Sequence, residues 1–187
     1  MPNYVLTGTP GAGKTAIVRQ LELDGYQVVE EAATDVIALR QALGQSEPHT
    51  HPAFIDAIVG LQRRRQQAAG SAAGADAHIV FFDRSPVCTL ALSRYLGYPE
   101  SALLTAEVDR LLQAGSYASP VFFVRSLGFV TPTAARRISL ADSLRFEEVH
   151  ERTYRELGFR LVEVPPGPLP ERVSVVRREI TRRRRGR

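Results

Sequence analysis

Eight consecutive residues, Gly8-Thr9-Pro10-Gly11-Ala12-Gly13-Lys14-Thr15, set glycines, a lysine and a hydroxyl at the spacing G-x-x-x-x-G-K-[ST]. Glycines let the backbone fold closely around an anion and turn its N–H groups inward, where a Cβ would obstruct the turn. A helix beginning directly afterwards adds unpaired amides and the positive end of its dipole. This is the chemistry of a cradle for the phosphates of ATP or GTP, and all eight residues are candidates for holding the nucleotide. Lys14 is expected to reach the β- and γ-phosphates, and the Thr15 hydroxyl to ligate magnesium. Composition isolates the same lysine: of 24 basic residues, 23 are arginine, and Lys14 alone is the compact ammonium on a flexible stem.

Further candidates follow two apolar runs. Asp83, after His78 to Phe82, stands where a carboxylate holds magnesium directly or through water. Its neighbour Arg84 carries a fork of donors suited to carboxylate or phosphate oxygens. Glu30 and Glu31 close the run Tyr26 to Val29, and strand alternation sends their side chains in opposite directions. Glu31 is the one expected to face inward and accept a proton from a substrate hydroxyl. Phosphoryl transfer also needs positive charge over the moving group and exclusion of water. Arg136 and Arg137, in an excursion between Arg125 and Ser139, are the lid candidates, and Arg125 itself is placed to touch nucleotide or substrate. Phe54 and Gln62 could line an acceptor pocket, whereas Arg63, Arg64 and Arg65 read as the solvated end of a helix. His49 and His51 lack a metal partner set, and Cys88 reads as a small buried hydrophobe.

Elements that would position these groups alternate along the chain. Short apolar strands are expected at Tyr4 to Thr7, Tyr26 to Val29, His78 to Phe82, Pro120 to Val124 and Arg160 to Val164. Helices fill the intervals: Lys14 to Asp24, Ala33 to Leu43, Ala53 to Ala68, Pro86 to Tyr95, Ser101 to Gln113 and Ala141 to Leu157. Ser85 could cap the fourth of these, with Pro86 at its first position. A final short helix precedes an arginine tail expected to be a disordered, solvated end. Strands alternating with helices give a parallel sheet covered on both faces, and right-handed crossovers bring Gly8, Glu31, Asp83 and Arg125 to one edge. The organisation expected is one nucleotide-binding domain over 1–170, with a lid at 126–140, and an arginine-rich helix or tail over 171–187.

Composition excludes several classes. The apolar runs are far shorter than the roughly 20 residues needed to cross a bilayer, so no span is expected. The beginning of the sequence lacks the pattern of a signal peptide, and a cytoplasmic location follows as the expectation. One cysteine rules out an internal disulfide and a cysteine-rich zinc site. Residues 172–187 hold eight arginines and one glutamate, leaving 16 basic and 19 acidic residues elsewhere. The basic balance thus belongs to the tail, which could meet a weak anionic partner such as a phosphate backbone or membrane surface. Oligomeric state stays open, since an apolar helix face can pack internally or against a second copy in a homodimer.

The motifs together resemble the AAA_28-type P-loop family, a group similar to the kinase domain of bacterial nicotinamide riboside kinases and to an animal GTP-binding protein of receptor trafficking. The residues carrying the resemblance are GTPGAGKT at Gly8 to Thr15, the pattern ending at Glu31-Ala32-Ala33, FFDRSP at Phe81 to Pro86, and Leu157-Gly158-Phe159 leading to Pro165. The resemblance implies a three-layer α/β P-loop NTPase fold with a five-stranded parallel sheet in the order 2-3-1-4-5. It further implies Glu31 as base or acceptor-binding carboxylate and Arg84 as holder of the acceptor or of the transferring phosphate. Two functions remain in play: phosphoryl transfer to a small-molecule hydroxyl, as in nucleoside and nucleotide kinases, and nucleotide-dependent regulation with weak hydrolysis.

Overall fold

The computed structural model describes residues 3–72, 79–129 and 138–185. Five parallel strands form one sheet: β1 (Asn3–Thr7), β2 (Gln27–Val29), β3 (Val80–Asp83), β4 (Val121–Val124) and β5 (Leu161–Val164), in the order β2-β3-β1-β4-β5. Seven helices surround it among the described residues: α1 (Lys14–Leu23), α2 (Ala32–Ala42), α3 (Ala53–Ala72), α4 (Pro86–Tyr95), α5 (Ala102–Gln113), α6 (Leu140–Glu156) and α7 (Leu169–Arg185).

Side-chain alternation builds the layers. Tyr4, Leu6, Phe81, Phe122 and Val124 point to one face of the sheet, where they meet Ile17, Val18 and Leu21 of α1 and Val173, Val176 and Ile180 of α7. Val5, Val80, Phe82 and Val121 point to the other, against Val87 and Cys88 of α4, Leu111 of α5 and Tyr154 of α6. Strands β3 and β4 are buried at every position, which explains their continuous apolar runs, while β2 and β5 at the sheet edges are partly exposed. A third apolar cluster joins α2 to α5 beside the sheet and underlies the cleft described below.

The C-terminal segment departs from expectation. Instead of a short helix and a solvated tail, one 17-residue helix continues through Arg185. Val173, Val176 and Ile180, at helical spacing, anchor it in the core, and arginine is a good helix former. Ion pairs fasten its polar side: Arg177 to Asp24, and Arg160, Arg182 and Arg183 around Glu179. Among the described residues, no helix is long and apolar enough to cross a membrane.

Candidate functional site

The register Leu6↔Asp83 sets the end of β3 beside the strand that enters the glycine loop. Gly8 has φ +133° and lies so close to β4 that a Cβ there would fall 2.2 Å from the Val124 carbonyl oxygen. Gly13, at φ +77°, caps α1 in the left-handed region. Lys14 follows as the first helical residue and folds back over the loop. Its buried ammonium donates to the carbonyls of Gly8 (3.0 Å) and Thr9 (2.7 Å), spanning the cradle that its charge would share with phosphate. The exposed Thr15 hydroxyl stands one residue further on, in the first turn of α1.

Magnesium fits this donor set. It binds oxygen, retains water and takes only one or two carboxylates beside substrate phosphates, and the hydroxyl of Thr15 with the buried carboxylate of Asp83 supplies that chemistry at one sheet edge. No cluster of three or more His, Cys, Asp or Glu suited to a metal occurs among the described residues.

Arg84 is the only non-glycine residue with positive φ among those described, at 74°. Its N–H donates to the Leu6 carbonyl at 3.0 Å, tying this strained turn to β1. The side chain is 8% exposed and meets Glu31, with Arg84 Nε 2.5 Å from Glu31 Oε1. Burial pulls the guanidinium pKa down, but the neighbouring charge of Glu31, with Asp83 beyond it, outweighs this and leaves the pKa raised. Glu31, the N-cap residue of α2, faces inward and accepts from Thr34 Oγ1 at 2.9 Å. Glu30 points outward to Arg19.

Arg65 is more than a solvated helix end. It donates to the backbone carbonyls of Glu31 (2.7 Å) and Glu30 (3.1 Å) and pairs with Asp35, pinning the end of β2 from α3.

His150 completes the arrangement and was not singled out by its sequence pattern. Fully buried on α6, it places Nδ1 3.1 Å from the Phe146 carbonyl and Nε2 3.4 Å from Arg84 Nη1. Burial, then the Arg84 charge, depresses its pKa well below the ordinary histidine value, so the ring is neutral. Because the guanidinium can only donate, Nε2 is the acceptor and the Nδ1 proton goes to Phe146. The signal was present in the spacing: Ser143, Phe146, His150, Thr153 and Tyr154 form the buried stripe of α6.

Beneath Arg84, Tyr154 Oη bonds Ser85 Oγ (2.7 Å) and Cys88 Sγ (3.0 Å), and Cys88 Sγ lies 3.1 Å from Thr7 Oγ1. Cys88 is buried as anticipated, but it joins a polar network linking β1, α4 and α6. Ser85 stands at the N-cap position with Pro86 first in the helix, while its hydroxyl is engaged by Tyr154.

Arg125, expected at nucleotide or substrate, is engaged within the fold: Glu147, Glu151 and Glu163 converge on its guanidinium at 3.2, 2.6 and 2.7 Å, and it stacks over the Phe123 ring. Three carboxylates on α6 and β5 claim the charge, a tertiary arrangement the local sequence does not display. Arg136 and Arg137 lie outside the described residues.

Glu31 and Arg84 stand at the wall of a cleft of about 310 Å³. Pro10 of the glycine loop borders it. Apolar side chains from α2, α3, α4 and α6 form most of the remainder, among them Ile37, Phe54, Ile58, Leu92 and Phe146, with Gln62, Thr89, Tyr95, His49 and Asp142 interspersed. Both Phe54 and Gln62 thus line a pocket, and Gln62 Oε1 accepts from Thr89 Oγ1 at 2.9 Å. Ser143 of α6 donates to the Pro10 carbonyl at 3.4 Å, which closes the cleft against the loop.

Comparison with known proteins agrees with this fold. Residues 3–172 match the family AAA_28, described as an AAA domain. Among solved structures, the NadR protein in complex with NAD and AMP-PNP has a TM-score of 0.65 at 17% identity, covering 95% of this chain and 49% of that one. The chain therefore spans about half the length of that relative. A deoxyadenosine kinase from M. mycoides gives 0.61 at 13% identity, with 96% and 98% of the two chains covered. Thymidylate kinase from Ehrlichia chaffeensis gives 0.64 at 12% identity with the same coverage. At these identities the likeness is one of fold. No curated protein matches the chain.

Proposed function

Because the chain belongs to AAA_28, a family of P-loop NTPase domains, we propose that it transfers the γ-phosphoryl group of ATP or GTP to a hydroxyl of a small, uncharged acceptor. The observation that carries this reading is the Glu31–Arg84 pair at the wall of an apolar cleft bordered by the phosphate loop. Plain nucleotide hydrolysis needs no such chamber. Arg84 is the only lysine or arginine among the described lining residues, and it already faces Glu31. A monophosphate acceptor would bring two further negative charges with few donors to meet them. An alcohol or nucleoside-like compound fits the cleft better.

In the proposed reaction, the loop amides and Lys14 hold the phosphates, with Lys14 leaving its carbonyl partners for them. Thr15 and Asp83 would hold magnesium, which when bound neutralises charge on the phosphate oxygens. The acceptor hydroxyl gives its proton to Glu31 as its oxygen forms the new bond to the γ-phosphorus. The bond from that phosphorus to the β-bridging oxygen breaks, and the electron pair departs on the nucleoside diphosphate. Arg84, fixed between Glu31 and His150, faces the charge that accumulates on the transferring group. Arg136 and Arg137 are proposed to reach the same group from the lid.

Following nucleoside diphosphate release with and without acceptors tests this. A panel of nucleosides and other neutral hydroxyl compounds is expected to accelerate release, and nucleoside monophosphates to be poor. Steady hydrolysis unaffected by any acceptor, together with nucleotide-dependent affinity for a macromolecule, would favour the regulatory function instead.

A further inference from the structure

Arg172, in the first turn of α7, packs against Gly13 of the glycine loop. It is 4% exposed. Its Nε donates to the Pro165 carbonyl and its Nη2 to the Arg125 carbonyl, both at 3.1 Å, so it bridges the ends of β5 and β4. The third nitrogen, Nη1, packs on Gly13, where a Cβ would come within 2.7 Å of it. Gly13 is thus constrained twice, by its left-handed backbone and by this guanidinium.

The charge balance around Arg172 is unusual for this molecule. Arginines at comparable structural positions have acids: Arg84 has Glu31, Arg125 has three glutamates, and Arg110 has Glu107. Among the described residues no carboxylate pairs with Arg172, and burial alone acts on its ionisation, lowering its pKa. A buried cation without a counter-charge is costly, and carbonyl oxygens offset that only in part. The side chain instead lies against the N-cap of α1, where loop amides and the helix dipole already favour an anion.

We infer that Arg172 is a positioning residue whose counter-charge is the phosphate chain of the bound nucleotide, acting through Gly13 and the loop, so that nucleotide binding and the seating of α7 are coupled. The inference rests on the nucleotide-binding reading above. It assigns to the C-terminal helix a part in phosphate recognition.

The test compares Arg172→Lys and Arg172→Met with the unaltered chain, measuring dissociation constants for ATP, GTP, their diphosphates and the two nucleosides. Arg172→Lys keeps the charge and loses the fork; Arg172→Met keeps the length and loses the charge. The expected result is a weakening of at least about ten-fold for triphosphates in Arg172→Met, smaller for diphosphates and absent for nucleosides, with Arg172→Lys within about three-fold of the unaltered chain. Equal losses in both variants would mean a purely structural clamp and overturn the inference, as would two unaffected variants. Should Arg172→Met fail to fold, hydrogen exchange on the unaltered chain decides: ATP or GTP must raise protection of residues 169–176, and unchanged protection overturns the coupling. Absence of triphosphate binding by the unaltered chain would remove the underlying reading itself, an outcome distinct from those of the variants.

Discussion

Replacing Gly8 by alanine isolates the contact that sets the loop upon the sheet. The new Cβ would stand 2.2 Å from the Val124 carbonyl oxygen, and backbone cannot yield as a flexible side chain would. Val124 belongs to β4 and pairs with Val164 of β5, so relief must come from the loop or from two strands. Gly25 supplies the control: it also has positive φ, at +89°, but nothing lies within 4 Å of its would-be Cβ. Left-handed backbone costs an alanine about 1–2 kcal/mol at either position, and forced overpacking adds about 1–3 kcal/mol at Gly8 alone. The totals are about 2–5 kcal/mol for Gly8→Ala and about 1–2 kcal/mol for Gly25→Ala. For a chain of this size, each kcal/mol lowers Tm by about 2–4 °C. Urea unfolding of the two variants, with triphosphate affinity measured alongside, gives the comparison. Gly8→Ala is expected to be the less stable by at least about 1 kcal/mol and to bind triphosphate poorly, while Gly25→Ala binds normally. Equal stability and affinity in the two would refute the claim that close approach to β4 shapes the loop.

Three further outcomes follow. Glu31→Gln removes the proposed base while keeping its shape: acceptor-dependent turnover is expected to fall about 10²–10⁴-fold with triphosphate affinity unchanged, and a loss confined to KM would contradict the assignment. The depressed pKa of His150 means that the unfolded chain takes up a proton first, so its stability contribution is complete above about pH 6.5 and declines as pH falls below it. By pH 5.5 the loss amounts to about 1.4 kcal/mol; it should vanish from the stability profile of His150→Gln, and identical profiles would count against a neutral buried ring. Deleting residues 181–187 is expected to leave the fold intact, whereas deletion from Val173 strips three buried side chains at about 1.5–3 kcal/mol each and should abolish cooperative unfolding measured by circular dichroism.

The alternation of short apolar runs with helical intervals, together with the motif's fixed spacing, made most of the architecture legible. The strand order came from resemblance rather than from periodicity. Asp83 and Arg84 announced themselves by following an apolar run, as did the pair Glu30 and Glu31. What local sequence could not display was pairing over distance. Arg125 meets three glutamates from two elements, and Arg65 pins β2 from α3. Arg84 finds its second partner 66 residues away in His150. The extent of α7 was readable in principle: Val173, Val176 and Ile180 repeat at helical spacing, but the arginine run masks an apolar stripe that narrow.

The central claim is that the phosphate chain lies in the glycine loop and faces the Glu31–Arg84 wall. A crystal structure with magnesium and a non-hydrolysable ATP or GTP analogue measures this directly. Lys14 Nζ is expected to be withdrawn from the Gly8 and Thr9 carbonyls and bound to β- and γ-phosphate oxygens, with the γ-phosphate toward the cleft. A triphosphate bound elsewhere, with Lys14 still bonded to those two carbonyls, would contradict it.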